Sequence, residues 1–420
     1  MTYTTHGLTS LHEILGNLVV YRNLVPADDR LPSLAGIRDH LGLAEGRLPR
    51  KAEPAYGRVV AEMLRRARRL DLPGTAIRRL IYVGDTRMND GTAFRNLCAA
   101  GEWPGWAFIG RDEAHRPPQV EVEGALYVAN RWSALPDFVR FLEGRGFVLD
   151  EATAVVIDVD KTAIGARGRN DQVINEARVE GVQRTVADLL GPGFDEGAFR
   201  AAYDELNQSA YHAFTADNQD YLAYICLVLG AGLFELDALV HEIGAGSMQR
   251  FTDFIARVED RRSELAQTGL ASIHADVWGR VQAGDPTPFK AFRYNEYLTT
   301  VSRFGDLAGA AVEEVLAQRI VITQEVRKTA ALLRDHGALI FGVSDKPDEA
   351  SLPNEAQAQA GMSPLHHLET LAVGEGAIPD LTGFTDHRRS GCPNLFGSSP
   401  PGDCKPPQQG LGNLSGLIPA

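Results

Sequence analysis

Three apolar runs in this chain stop abruptly at polar residues: LIYVG (80–84) at Asp85, AVVI (154–157) at Asp158, and LIFGV (339–343) at Ser344 and Asp345. Continuous apolar runs of this kind, with no polar alternation, make strands that must be covered on both faces, which is the property of parallel sheets. Parallel strands need crossovers, usually helices. The chain supplies them: residues 55–69 place Tyr56, Val59, Val60, Met63 and Leu64 at helical spacing before Pro73-Gly74, and SALPDFVRFLEG begins another helix at Ser133. WAFIG (106–110) and ALYVA (125–129) read as further strands. The expected fold class is α/β, a doubly wound, mostly parallel sheet. Ligands bind such sheets at the carboxyl ends of the strands, so the polar tips would converge on one crevice.

The remaining chain divides by pattern. After a polar start, Leu11, Ile14, Leu15, Leu18 and Val19 follow helical spacing, with Ser10 as the candidate N-cap. Residues 1–162 then carry the first part of the core. Over 163–336, amphipathic stretches such as INEARVEGVQRTVADLL dominate, and the segment reads as a helical insertion. Core character returns over 337–375. From 376 to 420 the chain is rich in Gly, Pro and Ser, and a loosely ordered tail is expected.

Composition narrows the partners. The 420 residues are 44% hydrophobic and 23% charged, ordinary for a globular protein, and the formal net charge of -13 repels polyanions. Nucleic acid and anionic membranes are therefore not expected partners. A small anion remains open to a site with a local cation. The N-terminus lacks a basic segment followed by an apolar one, and no run approaches the ~18 apolar residues of a membrane span, so a cytoplasmic protein is expected. Cys98, Cys226, Cys392 and Cys404 lack ligand spacing and read as buried or free thiols, although Cys392 and Cys404 could pair. His366 and His367 have no metal-ligand company in the sequence and read as surface or structural residues.

If the strand tips meet, Asp85, Asp90, Asp158 and Asp160 become neighbours. Two unit charges about 4 Å apart repel by roughly 4 kcal/mol at an effective dielectric near 20, so such a cluster demands a cation or protons. Carboxylate oxygens without competing soft ligands suit Mg²⁺.

These residues resemble a family. DVDKT (158–162) is similar to motif I of the haloacid dehalogenase superfamily, and FGVSDKP (341–347) to its motif II. YVGDTRMNDGTAF (82–94) resembles motif IV, and PRKAEPAYGRVVAEML (49–64) the stretch around the motif III Lys, with Lys51 in that place. The family runs I, cap, II, III, IV; here the order is III, IV, I, insertion, II, as a circular permutation between motifs II and III would produce. Such a rearrangement is tolerable when the termini of a compact domain lie close together. The resemblance covers about 45–162 and 337–347, and implies a Rossmann-like core with 163–336 as a type 1 helical cap.

The resemblance implies a Mg²⁺-dependent phosphatase acting on a small phosphorylated metabolite. Asp158 would attack phosphorus and form an aspartyl phosphate, and Asp160 would serve as general acid and base. Mg²⁺ would be held by Asp158, the backbone carbonyl of Asp160 and Asp85, while Asp90 would orient Lys51 or a metal-bound water; Asn89 is a weaker candidate. Ser344 and Lys51 would bind the phosphoryl oxygens, with Thr162 supporting catalysis or capping the turn. Lys346 competes with Lys51 for the cationic role. Arg167 and Arg169 could face an anionic substrate or solvent. FKAFRYNEY (289–297) reads as an amphipathic cap helix packing its Phe and Tyr side chains. Asp160 argues against dehalogenase or phosphonate chemistry. A phosphomutase, or a non-catalytic metal- or phosphate-binding regulatory module, are the alternatives; substrate and oligomeric state are not legible.

Overall fold

Each of the apolar runs is a strand in the structure, a computed structural model that describes residues 1–46 and 48–375. The tail at 376–420, with Cys392 and Cys404, lies outside the described residues. The strands are β1 (Tyr3–Thr9), β2 (Val19–Val20), β3 (Arg79–Gly84), β4 (Gly105–Gly110), β5 (Val120–Glu123), β6 (Leu126–Ala129), β7 (Thr153–Asp158), β8 (Ile322–Thr323), β9 (Leu339–Val343) and β10 (Thr370–Glu375). Seven form one sheet in the order β2-β9-β7-β3-β4-β6-β5, and every neighbouring pair is parallel except the β5–β6 hairpin. β7 lies between β3 and β9. Val83 pairs with Ile157 and Asp158 with Val343, so the three strands end level.

The helices that matter for the site are α1 (Pro54–Asp71), α2 (Asn89–Gly101), α3 (Leu135–Gly144), α4 (Asp171–Leu190), α5 (Gln219–Gly230), α6 (Lys290–Val301) and α7 (Gln324–Asp335). Both faces of the sheet are covered, and strand alternation shows how. Leu80, Tyr82, Ala154, Val156, Leu339 and Phe341 share one core with Val59, Val60 and Met63 of α1 and with Phe94 and Leu97 of α2. Fully burying a side chain of this kind stabilises by about 1.5–3 kcal/mol, which is why α1 stays where its apolar stripe puts it. On the other face Phe108 of β4 meets Phe138 of α3, with ring centroids 5.8 Å apart. The last of these, α7, packs beside α3 and β9.

Two parts depart from the reading of the sequence. The helix expected across residues 11–19 is only His12–Leu15, because Gly16 turns the chain with φ +57 and Val19–Val20 leaves to pair with β9. Its N-cap position is Leu11, not Ser10. The polar start is itself a strand: β1 runs antiparallel to β10, which pairs with β8 in a second, three-stranded sheet.

Between Asp171 and Val301 the chain is helical and builds its own core around Phe199, Tyr224, Phe251, Phe254 and Phe292. Helices α4 and α6 cross at Gly181, where an added Cβ would lie 2.8 Å from the Glu296 Cα. Only glycine permits that approach. No helix among the described residues is long and apolar enough to cross a membrane.

Candidate active site

Asp158 is the last residue of β7 and is buried, and Lys51 reaches it from the loop ahead of α1. The Lys51 Nζ lies 2.5 Å from Asp158 Oδ1 and 2.6 Å from Asp90 Oδ1. Thr162 donates its hydroxyl to Asp158 Oδ2 at 2.9 Å. Both oxygens of Asp158 are thus held by groups far apart in the chain or just past the strand.

Asp90 sits in the first turn of α2, tucked under the tip of β3. The neighbouring Gly84 makes room for it, since a Cβ there would stand 2.6 Å from the Asp90 Cβ. Asp90 Oδ2 accepts from Thr86 N at 2.9 Å, Thr86 Oγ1 at 2.8 Å and Asp85 N at 3.1 Å; Oδ1 accepts from the Tyr82 hydroxyl at 2.9 Å. Burial opposes the charge, but Lys51 and these donors outweigh it and hold the Asp90 carboxyl well below the usual carboxylate range.

Its neighbours behave oppositely. Burial pushes Asp158 well above the ordinary value against the pull of Lys51, with Asp90 and Asp85 adding to the rise. Burial, then Asp90, raises Asp85 to about 7 against the Arg167 guanidinium that is hydrogen-bonded to it. Lys51 stays charged: burial works against it, but Asp158 and Asp90 raise it well above the usual lysine value. Asp85, Asp90 and Asp158 each offer an oxygen, all within 4.8 Å of one another. Three carboxylates facing two cations leave an excess negative charge, which a divalent cation would offset. An all-oxygen donor set of this kind fits Mg²⁺.

The remaining expected residues fall in different places. Asp160 is half-buried and lines the same cavity, outside the Asp85, Asp90 and Asp158 trio. Ser344 is buried at the tip of β9, where its Oγ accepts from Lys346 N at 3.1 Å and its own N donates to Val20 O at 2.9 Å. Arg167 meets Asp85. Arg169 does not face the cavity: it is buried, with Nε 2.8 Å from Asp112 and its other nitrogens 2.9 and 3.0 Å from Glu325. Two acids anchor it as a structural ion pair, which corrects its reading as a substrate or solvent contact. The Lys346 ammonium lies 3.1 Å from Glu296, so Lys51 is the lysine at Asp158. Asn89 is exposed at the start of α2 and also lines the cavity.

The cavity, about 590 Å³, opens between the strand tips and the helical layer. Its helical wall contributes Arg178 and Arg293, and the loop after β2 contributes Arg22. Glu296 is the hub of this wall: it accepts from Arg293 at 2.6 Å, Arg178 at 3.0 Å and Lys346 at 3.1 Å, while Arg293 also reaches Asp220 at 2.5 Å. Burial disfavours the charge of Glu296, yet Lys346, Arg293 and Arg178 hold its carboxyl well below the usual range. The Arg22 Nε is buried with no hydrogen-bond partner among the described residues. Lys161 adopts φ +65, a left-handed conformation rare for a side-chain-bearing residue, just after Asp160. Sequence reasoning missed Arg22, Arg178 and Glu296. The i,i+3 pair Arg293 and Glu296 beside Phe292 and Tyr297 was the one visible signal, since opposite charges on an apolar helix face are a mark of buried pairing.

Fold and site together define an α/β protein with a polar cleft at the carboxyl ends of adjacent parallel strands. Compared with protein-family models, with curated proteins and with solved structures, the chain finds no match in any of the three.

Proposed function

We propose that the protein is a Mg²⁺-dependent phosphatase of the haloacid dehalogenase type, circularly permuted, which hydrolyses a small phosphorylated metabolite. The observation that carries this reading is the Lys51 ammonium clamped between Asp158 and Asp90. It joins residues from three of the resembling motifs, and the strands that end at Asp158, Asp85 and Ser344 are direct neighbours in the sheet. The altered motif order is therefore compatible with one shared site.

In this mechanism the Asp158 carboxylate attacks phosphorus and forms an aspartyl phosphate as the P–O bond to the leaving alcohol breaks. Lys51 and Thr162 fix the orientation of its carboxylate, and Lys51 places a permanent positive charge beside the developing phosphoryl charge. Asp160, on the cavity wall, donates a proton to the leaving alcohol and then takes one from the attacking water, work that contributes roughly 10² to 10⁴-fold. Asp158 and Asp85 would hold Mg²⁺, which supplies charge neutralisation for nucleophile and phosphoryl oxygens. Asp90 positions Lys51. The helical layer over 171–301 acts as a cap that limits water and, with Arg178 and Arg293 on its wall and Arg22 from the loop after β2, selects the leaving group. Ser344 shapes the tip of β9 from beneath.

Hydrolysis of p-nitrophenyl phosphate with and without Mg²⁺, beside Asp158→Asn, tests the reading. Mg²⁺-dependent release abolished in the variant is expected. Release equal in the variant, or none from the wild type, overturns it and favours a non-catalytic binding module.

A further inference from the structure

Away from the aspartates, His12 meets the adjacent pair His366 and His367, which the sequence keeps far from it. His12 begins the short helix after β1, and His366 and His367 end the 3-10 turn Leu365–His367. Their rings lie with centroids 4.4 Å apart for His12 and His367, 4.4 Å for His366 and His367, and 6.5 Å for His12 and His366. One nitrogen from each falls within 4.8 Å of those from the other two. The reading of His366 and His367 as lacking ligand company is thereby corrected: the missing partner is about 350 residues upstream and is brought in by tertiary structure, with the strand just ahead of it paired to β10.

We propose that His12, His366 and His367 bind one divalent transition-metal ion of the Zn²⁺ class, at a site separate from the aspartate cluster. Three imidazoles with no carboxylate among them suit Zn²⁺, Ni²⁺ or Co²⁺ and not Mg²⁺. In tetrahedral Zn²⁺ sites, nitrogens about 2.0–2.1 Å from the metal stand about 3.3 Å from each other, so nitrogens that lie within 4.8 Å of one another need to close in by at most about 1.5 Å. His12 and His367 are exposed and free to rotate that far, while the buried His366 is the fixed member.

The surroundings are built as metal sites are built. Asn17 Oδ1 lies 2.8 Å from His367 Nε2 and 3.3 Å from His366 Nε2, and the Tyr21 hydroxyl lies 3.2 Å from His366 Nδ1. A metal on one nitrogen of His366 replaces one of these bonds and keeps the other to orient the ring. A bound ion would staple the helix His12–Leu15 to the turn ahead of β10, with an open fourth position for water. It would also sit one hydrogen bond from Tyr21, the neighbour of the cavity residue Arg22.

The test is calorimetric titration of Zn²⁺ into the full-length, chelator-treated protein in excess Mg²⁺, which occupies hard oxygen sites. One Zn²⁺ per chain is expected. His12→Gln and His367→Gln, at exposed positions where folding is not at risk, should each weaken binding by more than about 100-fold, and Asn17→Ala by about tenfold. Thermal unfolding should shift upward with Zn²⁺ in the wild type and not in the two histidine variants. No binding by the wild type, or binding unchanged in both histidine variants, overturns the proposal. Because metal binding and not turnover is read, the result is independent of the phosphatase reading.

Discussion

Replacing Lys51 by Met removes the ammonium between Asp158 and Asp90 while keeping an unbranched apolar side chain in its place. The three side chains are 6%, 6% and 2% exposed, so solvent screens the interaction little. At 2.5 and 2.6 Å, and at an effective dielectric near 20, each contact is attractive by roughly 6 kcal/mol before desolvation is counted. Most of that offsets the burial of three charges. The net cost of leaving buried partners uncompensated is about 3–5 kcal/mol. The variant should therefore lose about 3–5 kcal/mol in urea denaturation at about pH 8, where both aspartates must stay ionised or take up a proton. The deficit should shrink at about pH 5, because with no ammonium beside them Asp158 and Asp90 protonate more readily in the folded state than in the unfolded one. Added Mg²⁺ should recover part of it. Equal stability of variant and wild type at both pH values would refute the reasoning, since it would mean that the clamp carries no net energy.

Three further outcomes are expected. Gly84→Ala drives a methyl group into Asp90, and should cost about 1–3 kcal/mol of stability and depress Mg²⁺-dependent turnover; unchanged turnover would show that the seat of Asp90 is not needed. Asp85, raised to about 7 by burial and Asp90, must be ionised to hold a cation, so affinity for Mg²⁺ falls as pH drops below 7. Tryptophan fluorescence titrations should show the half-saturating Mg²⁺ concentration rising about tenfold per pH unit there, and a flat profile would contradict the assignment. Arg22→Ala should raise KM for the best substrate of a phosphorylated-metabolite screen by about tenfold or more with kcat little changed, as loss of a charged hydrogen bond made equally in ground and transition states does.

How much of this was legible in the sequence depended on distance and periodicity. β3, β4, β7 and β9 announce themselves as continuous apolar runs, and α1 as a stripe, because burial on a sheet or helix face writes a local pattern. Asp158 and Asp85 were readable from their place at strand tips, and Lys51 only through the resemblance of the stretch around it to motif III. β1 was hidden, since its mixed, mostly exposed pattern has no period and its partner β10 lies at the far end of the chain. β2 is two residues long and was absorbed into a false helical stripe. Arg169 with Asp112 and Glu325, and Arg293 with Asp220, look like solvated charge in a sequence because their partners are 57 to 156 residues away. Buried ion pairs are defined by tertiary contact alone.

The central claim is that Asp158 becomes the phosphorylated residue. Acid quenching during turnover of a reactive phosphate ester, followed by borohydride reduction and peptide mass analysis, reads it directly, because an acyl phosphate on an aspartate is reduced to homoserine. The account predicts homoserine at position 158, dependent on both Mg²⁺ and substrate, and none at Asp160, Asp85 or Asp90. Phosphate release continuing with Asp158 unmodified, or homoserine at another position, would contradict it.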